Sequence, residues 1–226
     1  MNRLDAFQVE FKTHKRAKRM KLRYDATKDC AIITMPPRSN KRDAHKFASR
    51  HISWLEEQRK SAPDRIFLAP GYFIPIEGIP FLVVHRPDNT GSVKMTDFEI
   101  IVGGNESGLS KRLENYLKKR ARQRIEPLAQ EMAQSIGESF RRIQIRDTKS
   151  RWGSCSSSGT LSFSWRLIMC PDNIIDYVVA HEVSHIKEMN HSPAFWHVVD
   201  QLVDDAKTSR SWLKNEGQAL MMILTE

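Results

Sequence analysis

The chain has 226 residues, 40% of them apolar and 28% charged, proportions that suit a globular protein with a sizeable core and exclude a disordered or fibrous one. Thirty-six Lys and Arg against 27 Asp and Glu give a formal net charge of +9, which favours acidic partners. The three cysteines, Cys30, Cys155 and Cys170, have no CxxC spacing, which argues against a disulfide framework or a cysteine-based zinc ribbon. No apolar run reaches the length of a membrane span, and the polar start "MNRLDAFQVEFKTHK" lacks a signal-peptide core, so a cytoplasmic protein with no membrane contact is expected.

In chain order, residues 7–37 read as β structure. "FQVEF" and "RMKLRYD" alternate, "ATKD" is a turn, and "CAIITMPP" is a more buried strand closed by prolines. Residues 39–61 read as one helix, with Ser39 or Asn40 as its cap. Residues 66–104 hold short strands punctuated by Gly and Pro. A long amphipathic helix follows over 109–137, with Pro127 as a kink and Gly137 at its end. Residues 140–167 read as strands, "SSSG" making a hairpin turn. A helix begins near Pro171, and another starts at Ser192 as N-cap with Pro193 in its first position.

The fold class expected is α+β, with a β-rich, basic N-terminal region holding one helix at 1–108 and a catalytic region at 109–226, the two packed as one unit. Cations cluster at 12–23, 111–124 and 141–151, and no helix-turn-helix, zinc-finger or RNP pattern accompanies them.

The chemistry concentrates in "YVVAHEVSHIKEMNHSPAFW", residues 177–196. His181 and His185 are one helical turn apart on one face, where two imidazoles can share an ion. Glu182 lies on the adjoining stripe, within reach of a water at that ion without being a ligand. Two imidazoles leave a tetrahedral ion short of a third protein ligand. His191 cannot reach along a straight helix. Asn190, however, tolerates the left-handed conformation that ends helices, and Ser192-Pro193 starts a new one, so the chain can turn back at His191. The rival third ligands are Asp200, Asp204, Asp205 and Glu216. His14, His45, His51, His85 and His197 lack ligand spacing.

A second constellation is "TKSRWGSCSSSGTLSFSW", 148–165. This hairpin could wall a cleft and take an extended peptide as a further strand. Lys149, Arg151 and Arg166 could orient a carboxylate or phosphate. Trp152 and Trp165 are either cleft aromatics or core. Cys155 has no dedicated partner that would make it a nucleophile.

"RWGSC" followed by "DYVVAHEVSHIKEMNHSPAFW" resembles the YgjP-like metal-dependent hydrolases, a zincin-type group near the SprT and WLM metallopeptidases. The resemblance spans most of the chain, including the basic N-terminal β segment, the helix around Trp54 and the long helix before the hairpin. It implies a zincin-like core: an active-site helix, a long backing helix and a mixed sheet. It also implies zinc held by His181, His185 and His191, with Glu182 catalytic. The histidine spacing equals that of the metzincins, but Glu188 stands where they carry glycine. SprT-type relatives can carry a Cys-rich zinc ribbon, and this sequence has no cysteine after Cys170.

The function expected is zinc-dependent hydrolysis of peptides. Two other classes stay open. One is a zinc-dependent nucleotide or phosphoanhydride hydrolase using Lys149, Arg151 and Arg166. The other is a non-enzymatic nucleic-acid-binding protein with a structural zinc, which would need a fourth protein ligand.

Overall fold

The computed structural model describes residues 3–88 and 91–225. Packing divides the chain into two compact units, Met1–Asp64 and Arg65–Glu226. The division expected at 108 is therefore displaced. Strand residues such as Val83, Ile100 and Val102 share one apolar cluster with Leu113, Leu117 and Ile174 from beyond it.

The first unit is built on β3 (Cys30–Met35), whose residues are nearly all buried. A strand apolar on both faces belongs in the middle of a sheet, and β3 lies between β1 (Gln8–Thr13) and β2 (Lys21–Asp25). It pairs parallel with β1 and antiparallel with β2. Ile33 and Met35 pack with Leu4, Ala44, Ala48 and Leu55.

Two helices replace the single one expected: α1 (Lys41–Arg50) and α2 (Ile52–Ser61). Asn40 is the cap, its Oδ1 accepting from Asp43 N–H at 2.8 Å. The break has a local cause. The His51 ring takes the Phe47 carbonyl through Nδ1 at 2.9 Å. The His51 amide then bonds Ala48 O instead, and the helical ladder is interrupted.

The second unit opens with β4 (Ile66–Phe67), which pairs parallel with the C-terminal β12 (Ile223–Leu224). A four-stranded sheet follows, in the order β5 (Phe73–Ile76), β6 (Ile79–Arg86), β8 (Glu99–Gly103), β7 (Val93–Met95). The β5–β6 hairpin turns through Glu77 and Gly78, both at positive φ (51° and 82°), the backbone of a tight two-residue turn.

Helix α3 (Leu109–Ser135) buries Leu109, Leu113, Leu117, Ala121, Ile125 and Ala129, a stripe at four-residue spacing. Pro127 lies on its exposed side and the helix continues past it. Helix α3 packs on α4 (Asp172–Lys187) and on β9 (Arg142–Arg146). It is thus the backing helix of the site.

The third sheet has the order β10 (Gly153–Cys155), β11 (Thr160–Ser164), β9. β11 pairs antiparallel with β10 and parallel with β9, so the sheet is mixed and β10 is an edge strand. Trp165–Leu167, expected as strand, belong instead to a buried 3₁₀ segment, Trp165–Met169. After α4 come α5 (Pro193–Leu202), α6 (Ala206–Asn215) and the short α7 (Gly217–Met221). The architecture is α+β, with the helix that carries His181 and His185 between a long backing helix and the edge strand of a mixed sheet.

Candidate metal centre

Helix α4 carries His181 and His185 on one face, as their spacing requires. Its end differs from expectation. It stops at Lys187, and Glu188 (φ −130°, ψ 99°) leaves in an extended conformation. Asn190 is not at positive φ. The turn still brings His191 back. Ser192 caps α5, its Oγ accepting from Phe195 N–H at 3.3 Å, and Pro193 stands at the start of that helix.

The ligand atoms of His181, His185 and His191 lie within 4.8 Å of one another. The Nε2 atoms of His181 and His191 are 3.1 Å apart. Bonds of about 2.0–2.1 Å to a tetrahedral zinc place two nitrogens roughly 3.3 Å apart, so the donor set fits such an ion. Imidazole also suits zinc by chemical softness. Among the described residues none of the four rivals joins the histidine group; Asp205 caps α6, its Oδ1 accepting from Thr208 N–H at 2.9 Å, and Glu216 ends that helix.

Each ring is oriented from outside. The His185 Nδ1 lies 3.0 Å from Glu188 O. A carbonyl only accepts, so Nδ1 carries the proton and Nε2 keeps its lone pair for a metal. The Tyr177 hydroxyl is 3.4 Å from His181 Nδ1. Beneath all three rings lies Phe195, fully buried, with its centroid 4.9, 4.5 and 4.8 Å from those of His181, His185 and His191. Trp196 stacks on His191 at 5.9 Å, and the Arg210 guanidinium lies 4.5 Å from the Trp196 centroid. Burial pushes His181 down to about 4, helped by the positive charge available to His185, His191 and Arg210. Burial lowers His185 too. Both imidazoles are held in the neutral, ligating form.

Glu182 is buried. Burial raises its carboxyl to about 7, against the opposing pull of the Arg151 charge and a hydrogen bond from the Cys155 backbone N–H. Gly153 makes this position possible. A Cβ there would lie 2.5 Å from Glu182 Cγ and 2.6 Å from Oε1. An open cavity of about 330 Å³ joins Glu182 and the three histidines to Ser154 and Cys155 of β10. A second, of about 170 Å³, extends from His181 and Glu182 between Trp152, Tyr177, Val178 and Leu213.

Of the substrate residues expected from the sequence, Trp152 lines the second cavity and Arg151 acts on Glu182 through its charge. The other two are elsewhere. Arg166 is 1% exposed; its Nη1 donates to Asp147 and its Nε to Ile223 O at 2.8 Å. Lys149 is exposed, and its charge acts on Asp147. Trp165 is wholly buried, which settles it as core. Burial raises the Cys155 thiol to about 11, so it stays protonated. Sequence reasoning missed Gly153, Phe195 and Arg210. Only Phe195 left a signal, as the large apolar residue three positions after the Ser192 cap.

The fold and site together define a metal-dependent hydrolase of the metallopeptidase class. Residues 18–216 match the YgjP-like, metallopeptidase domain family, and the chain belongs to that family. It is also similar to two solved structures. One is the crystal structure of the metallopeptidase zymogen of Pyrococcus abyssi abylysin: 23% identity, TM-score 0.37, 41% of this chain and 95% of that one. The other is that of Methanocaldococcus jannaschii jannalysin: 24% identity, TM-score 0.35, 42% and 95%. No curated protein matches the chain.

Proposed function

We propose that the protein is a zinc-dependent peptidase in which His181, His185 and His191 hold the ion and Glu182 is the general base. The convergence of three imidazoles beside a buried carboxylate, against an edge strand, carries this reading. When bound, the ion supplies Lewis acidity, acidifying water and polarising the scissile carbonyl. Glu182 takes the proton of the attacking water and passes it to the leaving nitrogen. Gly153, with no side chain, leaves the space in which that carboxylate sits.

An extended peptide adds to the open side of β10, whose other side pairs with β11. The residue that carries the leaving nitrogen sits on the Glu182 side, where the apolar walls of Trp152, Val178 and Leu213 receive its side chain.

The other classes have less support. Of the three cations that favoured a phosphate substrate, Arg166 is buried in an ion pair with Asp147. A structural zinc requires a fourth protein ligand, and the ligand group has three members among the described residues. The test is zinc content and peptide cleavage in wild type and Glu182→Gln. The variant is expected to keep its zinc and lose about 10²–10⁴-fold in rate. Zinc retention with full activity would remove Glu182 from the reaction.

A further inference from the structure

The positive charge of the chain is not spread along it. Residues 1–64 hold 16 Lys and Arg against 8 Asp and Glu, so +8 of the total +9 falls in the first compact unit. In the second unit, the basic run 111–124 is largely neutralised. Lys111 and Lys118 pair with Glu114, Arg122 with Glu126, and Arg124 with Asp172 and Asp176.

The first unit carries an unneutralised run of its own. Its ion pairs, among the described residues, engage Arg3, Lys12, Arg23, Lys28 and Arg59. None engages Lys15, Arg16, Lys18, Arg19 or Lys21. Four of these five lie in the segment 14–20 that joins β1 to β2, and all are exposed.

Beside that segment is an open groove of about 470 Å³. One bank is Arg19, Met20, Lys21 and Leu22; the other is Phe47, His51 and Trp54 from the two helices. Trp54 is 39% exposed. The Phe47 and His51 rings stand 4.6 Å apart, and the hydrogen bond from His51 Nδ1 to Phe47 O fixes the second ring.

We propose that this groove binds single-stranded nucleic acid, with bases stacked on Trp54 and its neighbouring rings and phosphates along Lys15, Arg16, Lys18, Arg19 and Lys21. Unpaired cations alone would accept any polyanion. The exposed aromatic face beside them narrows the choice. A base offers a flat π-surface to Trp54 while its phosphate reaches the cations one bank away. An acidic peptide satisfies the cations and leaves Trp54 wet. A duplex turns its base faces inward, out of reach of the indole.

The test uses the full chain and fluorescence anisotropy. The probes are a labelled 15-nucleotide oligothymidylate, the same length of duplex, and a labelled polyglutamate. The single strand is expected to bind at low salt, and at least tenfold more tightly than the other two. Trp54→Ala is expected to weaken it about tenfold or more, and Trp54→Phe to restore most of the loss. Arg19→Ala and Lys21→Ala should each lower the slope of log affinity against log salt by about 0.7. Equal binding of polyglutamate or duplex would overturn the proposal, as would identical affinity in wild type and Trp54→Ala or no binding at low salt. A concentration-dependent dimer that buries Trp54 would do the same, by assigning the groove to a second copy of the chain.

Discussion

Gly153 lacks a side chain, and Glu182 occupies the space one would fill. Adding a methyl group would bring a carbon to 2.5 Å from Cγ and 2.8 Å from Cδ of the glutamate. Glu182 is buried on α4 and must move if β10 does not. Displacing a catalytic group by an ångström can cost about a hundredfold in rate. Gly153→Ala is therefore expected to lower kcat roughly a hundredfold while zinc content stays at wild type, because the three atoms nearest the added methyl all belong to Glu182. Steady-state kinetics with metal analysis checks this; an unchanged kcat would show that β10 yields instead. His181, His185 and Glu182 were legible because helical spacing alone puts them together, and His191 because Ser192 and Pro193 mark a new helix just after it. Gly153 was not, since its meaning depends on a side chain 29 positions away that approaches only after folding. Arg166 misled for the same reason. In the sequence it is a cation beside a serine-rich hairpin. In the fold it is an interior residue with Trp165 at 4.4 Å from its guanidinium carbon.

At the scale of elements, Arg166 ties three segments together: the 3₁₀ segment that bears it, Asp147 after β9, and the carbonyl of Ile223 in β12. Burial pushes the Asp147 carboxyl up, but the Arg166 hydrogen bond and charge, with the Trp165 indole N–H, hold it below its ordinary value. A carboxylate with a depressed folded-state pKa contributes stability in full above its unfolded value of about 3.9. That contribution is lost as pH falls through the lower folded value. Asp147→Asn leaves a buried guanidinium without its counter-charge and is expected to cost about 1.5–3 kcal/mol near neutrality. Denaturant titrations should show the gap between wild type and variant closing below pH ~4; a constant gap at all pH values would place the stabilisation in packing. The C-terminal elements were the least legible. β12 has two residues and α7 has five, too short for periodicity to register. The turn from α4 to α5 was readable through Ser192 and Pro193, whereas its conformation at Glu188 was not, because no residue there demands a particular φ.

For the whole molecule, the separateness of the two apolar clusters is the controlling fact. Ile33, Ala44, Ala48 and Leu55 form one, and the residues of α3 and α4 belong to the other. The sequence suggested a later boundary because β-rich segments run on to residue 104, and strand content does not reveal which core a strand joins. The ligand histidines all project from the second unit. Binding a metal to the folded state alone adds about 2.7 kcal/mol at a hundred times Kd, and that free energy acts on whatever opens the site. Amides of Val179 and Val183, buried on α4, are expected to exchange about a hundredfold more slowly with zinc than after chelation, if they exchange by unfolding of that unit. Amides of Ile33, Ala44 and Ala48 have no part in that core, and their rates should be the same in both conditions. Hydrogen exchange read residue by residue distinguishes the cases. Equal slowing in both sets would mean that the two units open together. No slowing on α4 would mean that the three histidines do not bind zinc in the folded protein.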